Sequence, residues 1–285
     1  MSIAASDVKK LRDMTGAGMM DCKEALAASH GDFDEAIDFL RKKGLSKAAK
    51  KTDRETREGL VDAKVDGRCG ALIQVSCETD FVARTDDFTS FVAALLQQAF
   101  GEKLGSTEQM LARPFSGGAA TVQDVFTEKV AKLGENMQLA RVAFFEAPQG
   151  AVHAYIHPGN RVGVLLEVRG DDATLAGLAP TIHDVAMQVA AASPSFVRRE
   201  EVDAATLEKE REIAREQLKE SGKPAAVIEK IVDGKIGKYY EEACLMEQPF
   251  IKDPAITVGE LVKQKNALMG ENIVVRRFVR FEVGS

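Results

Sequence analysis

The strongest constraint on the fold is a repeat within the chain. A segment at residues 134–146, GENMQLARVAFFE, returns at residues 270–282 as GENIVVRRFVRFE. An earlier match pairs GALIQV at residues 70–75 with GVLLEV at residues 163–168. The two matches are not equally spaced, so the second copy carries a net insertion. At 285 residues the chain is long enough for two domains, and the repeat predicts that they are related.

Each copy shows the same order of elements. Two strands are joined by a turn at Gly67 or Gly159, and a helix follows over Phe88–Phe100 or Leu175–Ala192. Another helix and a third strand complete each copy. This order favours antiparallel three-stranded sheets covered by helices, so the predicted fold class is α+β.

The insertion in the second copy is placed at about residues 200–242, which are rich in Glu, Lys and Arg. Apolar residues stand on both sides of Ser221–Pro224: Leu207, Ala214 and Leu218 before it, and Val227, Ile231 and Tyr239 after it. Since Gly and Pro mark a reversal, we expect two antiparallel helices that project as a coiled-coil hairpin. Such an arm serves self-association or partner contact rather than chemistry.

Three short helices are predicted within about the first 45 residues. The first begins at an N-cap Ser6, the second covers Met19–Ser29, and the third follows the capping residue Asp32. Their inward apolar positions are Val8, Leu11 and Met14, then Met20, Leu26 and Ala27, then Phe33, Ala36, Ile37 and Leu40. A small bundle of this kind is typical of a docking module rather than of a domain with a pocket.

Four segments result from these patterns. They are a three-helix docking domain at 1–45, a basic linker at 46–57, one core subdomain at 58–148, and a second at 149–285 that contains the insertion. Residues 41–54 are strongly basic, with Asp53 as their single acid. Two interpretations of this basic segment stay open: a solvated helix and tether, or an electrostatic contact with an acidic partner.

Composition argues against several classes of protein. The formal charge of −6 has the wrong sign for a chain whose main ligand is a phosphate backbone. No apolar run approaches the ~20 residues that span a bilayer. The four cysteines form no CxxC pair and the first residues lack a secretory signal, which points to a reducing cytosol. We therefore expect a cytoplasmic protein without direct contact to nucleic acid or membrane.

A search for chemistry finds no P-loop, no HExxH and no GxSxG motif. His153 and His157 could share a face of a strand, but without a third ligand a structural role is favoured over zinc binding. Cys77 lies beside Glu78 and Asp80, whose charges would raise the pKa of its thiol and oppose nucleophilic use. We therefore expect no enzymatic activity, no cofactor and no resident metal.

One segment places an aromatic residue where a polar surface connection is expected. In CETDFVAR, residues 77–84, an acidic pair is followed at once by Phe81 in a connection between a strand and a helix. Such connections run over the surface, where an aromatic ring beside a carboxylate is typical of an interface hot spot. The alternative is a ring tucked under the helix that starts near Asp86. The residues alone leave both placements open.

Two segments carry a resemblance to a known family. LRDMTGAGMMDCKEAL at residues 11–26 and TDFVAR at residues 79–84 closely resemble the hallmark motifs of bacterial elongation factor Ts. The resemblance covers nearly the whole chain, down to the ending RFVRFEV. It implies a ubiquitin-associated-like first domain, two related core subdomains and a coiled-coil arm. It also implies a guanine-nucleotide exchange factor for the GTPase elongation factor Tu, without covalent chemistry or cofactor.

The resemblance also implies which residues act. Matches to the second motif would enter the partner close to its magnesium site: Asp80, Phe81, Val82 and Ala83. Matches to the first motif would meet the partner's nucleotide domain: Arg12, Met19, Met20 and Lys23. Three residues, expected on the second subdomain, match positions that touch another partner domain: Leu133, Gly134 and His157. Phe81 is therefore expected to be exposed.

Two departures from the family pattern are visible. The strand before the second motif usually carries Glu and Asn where this chain has Gln74 and Ser76, which we expect to be a harmless surface detail. Family members also commonly continue into a further helix beyond the position of Ser285. A non-catalytic binding or scaffold module that uses the three-helix domain stays open as an alternative function. A homodimer and a 2:2 complex with the partner stay open as assemblies.

Overall fold

The computed structural model describes residues 3–49, 51, 53–219, 224–270 and 272–285. Two compact units are formed. The first contains Met1–Asp62, Ile73–Ala143 and Glu282–Ser285, and the second contains Ala63–Leu72 and Phe144–Phe281. Both mix helices with small sheets. The predicted α+β class is therefore confirmed.

Three helices open the first unit: α1 (Ala5–Thr15), α2 (Met19–Ala28) and α3 (Phe33–Ala49). Asp32 caps α3 as predicted, because its Oδ1 accepts the N–H of Glu35 at 2.9 Å. The N-cap of α1 is Ala4, so the prediction of Ser6 was wrong by two positions. The helices enclose a small core of Val8, Leu11, Cys22, Ala25, Leu26 and Ala36.

Three of the apolar positions predicted to point inward are exposed instead. Met14 is 58% exposed and Met20 74% exposed, and Ala27 is exposed too. The buried residues of α2 are Cys22, Ala25 and Leu26, which lie on one face at a spacing of three and four. Met20 and Ala27 lie off that face. The prediction for this short helix was therefore right for Leu26, which is buried, and wrong for Met20 and Ala27.

The basic segment is partly helical, since α3 continues to Ala49. Several of its cations bind within the first unit. The ammonium of Lys43 lies 2.9 Å from Asp21, and the ammonium of Lys51 donates to the carbonyl of Gly134. The helical part of the first interpretation is confirmed, but this part of the segment is not simply solvated, because Ala48 is buried and Gly44 is half-buried. The contact with an acidic partner stays a prediction.

The first sheet has the strand order β1 (Glu58–Asp66), β2 (Cys69–Cys77) and β3 (Met137–Glu146). Between β2 and β3 the chain forms the helices α4 (Asp80–Ala83), α5 (Asp86–Gly101), α6 (Thr107–Leu111) and α7 (Val122–Leu133). Helix α3 packs on α7 so closely that a Cβ at Gly44 would lie 3.2 Å from that of Ala131. The N-terminal helices and α7 thus belong to one unit.

The central strand β2 corrects one expectation. Gln74 and Ser76 are each only 4% exposed, so neither is a surface detail. Consecutive residues of β2 are buried almost throughout, and since their side chains alternate between the two faces of the sheet, both faces are covered at this strand. Gln74 donates from Nε2 to the carbonyl of Glu282 at 3.1 Å. Its buried Oε1 has no hydrogen-bond partner among the residues that the structure describes.

The second unit repeats this arrangement with the strand order β4 (Gly150–Ile156), β5 (Val162–Arg169) and β8 (Val274–Glu282). Strands β4 and β5 are antiparallel, with Gly150 opposite Arg169. The helix predicted over Leu175–Ala192 is two helices, α8 (Asp172–Gly177) and α9 (Ala179–Ala192). Pro180, in the first turn of α9, explains the break because it has no N–H to donate.

The insertion contains the helices α10 (Ala204–Glu216) and α11 (Ala225–Ala243), which pack against each other. Their buried apolar residues are Ala214, Val232 and Ile236. Part of the predicted reversal, residues 221–223, lies outside the described residues. Two short strands that were not predicted follow the insertion, β6 (Pro249–Phe250) and β7 (Asp253–Thr257), before α12 (Val258–Met269). Strands this short carry no readable alternation.

Gly59 in β1 tests how tightly the first hairpin is built. Its φ is +142°, and a Cβ there would lie 2.1 Å from the carbonyl oxygen of Val75. We expect Gly59→Ala to lower the free energy of unfolding by about 3 kcal/mol or more, from strain and overpacking together. Gly67→Ala, at φ +57° in open space, is the control and should cost about 1 kcal/mol. Equal losses in urea denaturation would contradict this account.

Candidate functional site

The ring of Phe81 lies on the outside of the first unit. It is 81% exposed, on the four-residue helix α4, while Ala83 of the same turn is 5% exposed. The two side chains point in nearly opposite directions because residues two apart on a helix are about 200° apart. The alternative of a ring tucked under α5 is therefore wrong. Asp80 and Val82 beside it are half-buried.

Two threonines make this turn short. The hydroxyl of Thr79 accepts the N–H of Val82 at 3.4 Å and caps α4. Thr85 donates to the carbonyl of Val82 through both its N–H, at 3.0 Å, and its hydroxyl, at 2.8 Å. The Thr85 hydroxyl also accepts the N–H of Phe88 and so caps α5. One helical turn is thus closed at both ends, with Phe81 in its middle.

Carboxylates fix the start of the turn to the loop after α7. Glu135 accepts the N–H of Thr79 at 3.0 Å and its hydroxyl at 2.7 Å. In the opposite direction, Glu78 accepts the N–H of Asn136 at 2.6 Å. The amide of Asn136 donates to the carbonyl of Arg54 at 2.7 Å, and the guanidinium of Arg54 lies 3.5 Å from Glu78. The segment that presents Phe81 is therefore tied at two successive residues.

Sequence reasoning did not find this set of contacts. Glu135 and Asn136 lie in the repeated Gly-Glu-Asn triplet, which was read only as a sign of duplication. Their bonds to residues 78 and 79 join positions more than fifty apart in sequence. The occurrence of the triplet after the last helix of both copies was a signal that these residues have a structural role. No local pattern says what it contacts.

Among the residues that the structure describes, Asp80 pairs with one exposed cation. Its carboxylate lies 3.0 Å from the guanidinium of Arg84, one turn later. Exposed pairs of this kind contribute little, roughly 0.2–1 kcal/mol. The carboxylate of Asp80 can therefore exchange Arg84 for another partner at small cost.

The pKa of the Cys77 thiol is raised, as the sequence predicted, but not by the neighbouring Glu78 and Asp80 to which the rise was attributed. Burial, followed by the charges of Glu135 and Glu58, raises the pKa of its thiol to about 12. The Sγ donates to the carbonyl of Thr79 at 3.2 Å. Since the thiolate is the reactive form, this cysteine is a packing residue under the turn.

The first motif forms an exposed corner where α1 meets α2. Arg12 and Lys23 are exposed, and Met19 and Met20 are 44% and 74% exposed. Met14, which the sequence analysis placed in the core, is also exposed there. Gly16, with φ +65°, ends α1 and turns the chain into α2. The first motif thus exposes three methionine side chains and two cations.

The third predicted group is divided between the units. Leu133 and Gly134 end α7 in the first unit, so their expected place on the second subdomain was wrong. Leu133 is half-buried and Gly134 exposed. His157 is exposed and lies in the second unit, with its Nδ1 3.0 Å from the hydroxyl of Tyr155.

Two histidines of the second unit, His153 and His183, lie side by side. The Nε2 of His153 lies 3.1 Å from the Nδ1 of His183, and burial together with the neighbouring His183 lowers the pKa of His153. Within the described ranges, no three His, Cys, Asp or Glu residues are grouped to hold a metal ion. Likewise, no helix in the described part of the chain has the length and hydropathy to cross a bilayer.

Comparison with known proteins gives one consistent result. The sequence model of the family described as Elongation factor TS matches residues 78–285. Elongation factor Ts of Syntrophotalea carbinolica is 45% identical over all of this chain and 94% of its own length. That of Chlorobium chlorochromatii is 46% identical over 99% of both chains, and that of Trichlorobacter lovleyi 43% identical over all of this chain and 93% of its own.

The exposed aromatic turn at Phe81 is typical of a surface that binds another macromolecule. At these identities and coverages, the chain belongs to the elongation factor Ts family. The family makes it a nucleotide exchange factor of translation elongation, with elongation factor Tu as the partner that this family implies.

Thiol labelling tests the environment of Cys77. Burial raises the pKa of Cys77 to about 12 and that of Cys244 to about 11, so both should alkylate slowly at pH 8. Cys69, which is half-buried on β2, should react first. Mass spectrometry after brief exposure to iodoacetamide measures the order, with protein in urea as the control. Labelling of Cys77 as fast as Cys69 would mean that the turn at Phe81 opens readily.

Proposed function

We propose that the chain binds elongation factor Tu in its GDP form, disturbs the partner's magnesium and phosphate site, and so promotes release of GDP. The acting group is the segment Asp80–Ala83, with Phe81 as its leading side chain. The observation that supports this most directly is the 81% exposure of Phe81 on a turn whose backbone is tied by Glu135 and Glu78. GTP then binds to the emptied partner.

The energy for this step comes from burying the ring. Phe81 is left in water in the free chain, and its burial between partner elements stabilises the complex by about 1.5–3 kcal/mol. That gain is available only in a distorted partner state with low affinity for nucleotide. Binding of the ring is thereby coupled to release.

Asp80 contributes charge close to the partner's metal. Its carboxylate leaves the exposed pair with Arg84 and acts by repulsion or hydrogen bonding near the site that holds Mg²⁺. In a site of low effective dielectric, one displaced carboxylate has a large effect on the ligands around the ion. Val82 and Ala83 shape the turn that carries these two groups.

The remaining contacts hold the partner in place. Arg12, Met19, Met20 and Lys23 meet its nucleotide domain through the ubiquitin-associated-like three-helix domain, and the exposed Met14 extends that surface. Leu133, Gly134 and His157 touch another domain of the partner. The domain boundaries at 45, 57 and 148 are part of this proposal, as is action in the cytoplasm without direct contact to nucleic acid or membrane.

Thermodynamic linkage makes the effect on nucleotide binding reciprocal. The factor by which this chain weakens GDP binding equals the factor by which GDP weakens binding of this chain, and the same holds for GTP. The chain therefore accelerates exchange in both directions. A scaffold that only binds would not change the rate of nucleotide release, so release kinetics separate the alternative function from exchange.

The test of the acting group is Phe81→Ala. We expect the variant to fold and to slow stimulated GDP release by about tenfold to a hundredfold, because the lost burial energy of about 1.5–3 kcal/mol corresponds to one to two decades. Stopped-flow release of a fluorescent GDP from elongation factor Tu measures this. Leu268→Ala removes an apolar side chain of similar exposure, 78%, and serves as the control. An unchanged rate in Phe81→Ala would remove Phe81 from the mechanism.

The helical insertion, proposed as a coiled-coil arm for self-association or partner contact, is tested by deletion. Removing residues 204–241 and joining the ends with a short Gly linker keeps Glu201, whose carboxylate accepts the N–H of Val197 at 2.9 Å. We expect stimulated release to suffer less than in Phe81→Ala, since the arm carries none of the acting residues. Greater damage would make the arm part of the working interface. Sedimentation of the full chain and of the deletion variant, each alone and with elongation factor Tu, tests whether the arm supports a homodimer or a 2:2 complex.

A further inference from the structure

We infer that Glu135 is a positioning residue that holds Phe81 in its outward place and joins that ring to the neighbouring contact at Leu133 and Gly134. The inference rests on the proposed function. Glu135 itself reaches no partner group in this account. It acts through the backbone and the hydroxyl of Thr79.

The contact is well made for holding a turn. The two carboxylate oxygens of Glu135 take the two donors of one residue, the N–H of Thr79 at 3.0 Å and its hydroxyl at 2.7 Å. Because that hydroxyl donates to Glu135, its oxygen is free to accept the N–H of Val82. Hydrogen bonds to an ionised acceptor are about twice as strong as those between neutral groups. The carboxylate therefore fixes the first residue of the turn in both position and rotamer.

The loop that carries Glu135 is itself fixed. Asn136 is 4% exposed, and its N–H and side-chain amide are bound to Glu78 and to the carbonyl of Arg54. On the other side, Gly134 ends α7 with φ +82°, and its carbonyl accepts the ammonium of Lys51. A residue between two fixed neighbours has little freedom to release its partner.

This loop also follows directly on a proposed contact with the partner. Leu133 and Gly134 are the two residues before Glu135, and Gly134 is exposed. Pressure of the partner on these residues would act on the same stretch of backbone that holds Thr79. The two contacts in the first unit are thus joined through three consecutive residues rather than through a flexible linker.

The second copy of the repeat shows that the Gly-Glu-Asn sequence does not by itself fix the environment of its residues. Gly270–Asn272 has the same sequence as Gly134–Asn136, yet Asn272 is exposed whereas Asn136 is buried. At the spacing of the strand repeat, Phe81 corresponds to Thr174, which is 3% exposed. The outward aromatic ring is thus a feature of the first copy, since the matching residue of the second copy is a buried threonine.

One test needs no partner. The chain contains no tryptophan, so Phe81→Trp places a single fluorescent reporter at the turn. We expect Glu135→Ala in this background to add a fast nanosecond component to the decay of fluorescence anisotropy, because the turn loses its tie. Glu128→Ala, an exposed charge on α7, is the matched control and should add none. An unchanged decay in Glu135→Ala overturns the positioning role.

The second test is a double-mutant cycle on stimulated GDP release. With Phe81 present, Glu135→Ala should slow release by about tenfold, as expected if the untied turn presents the ring for about a tenth of the time. In the Phe81→Ala background the same change should cost less than about twofold, since there is no ring left to position. Equal losses in both backgrounds, or no loss with Phe81 present, contradict the inference.

The design separates this inference from the proposed function. If Phe81→Ala leaves release unchanged, the proposed function fails. If Phe81→Ala slows release but Glu135→Ala is additive or silent, only the positioning role fails. Should Glu135→Ala not fold, Thr79→Val and Thr79→Ser replace it in the same cycle. Thr79→Val loses the hydroxyl and should slow release, and Thr79→Ser keeps it and should restore the rate; equal rates overturn the inference.

Discussion

The presentation of an aromatic ring to water depends on the backbone beneath it. An exposed Phe on a free loop gains by folding back onto the nearest apolar surface, as most large apolar side chains do. Here the turn that carries Phe81 is tied at Glu78 and Thr79 by bonds to residues 135 and 136. Those bonds exist because β2 and α7 bring both ends to one place in the first unit. The positioning role proposed for Glu135 accounts for the ring remaining outside.

The two halves of the repeat show how one architecture takes on different roles. Both have three strands in the same order of connection and a capping box at the last helix, made by Thr121 with Asp124 and by Thr257 with Glu260. The first copy places Phe81 outside, and the second buries Thr174 at the matching position. The second copy instead carries the helical insertion. The two copies therefore share one architecture and differ in the side chains of the segments that connect their strands and helices.

Much of this could be read from the sequence. The repeat predicted two related α+β units, the spacing of Gly and Pro predicted the paired helices of the insertion, and the two motifs predicted the family. Errors arose where a helix is short or a strand is covered on both sides. Met20 was placed inside because ten residues of α2 do not define one apolar face, and Gln74 was placed outside because periodicity cannot tell a central strand from an edge.

The sequence by itself determined the class of fold, the family and the residues on which the proposed function rests. It did so because hydrophobic periodicity and motif identity are local and are written in consecutive residues. The residues alone left the placement of Phe81 open, the resemblance predicted that it is exposed, and the tertiary structure confirmed this. Only the tertiary structure identified the groups that bind its turn. Glu135 and Thr79 are far apart in the chain, and no spacing rule connects them. They meet only because a strand, a turn and a distant helix end at the same corner of the first unit.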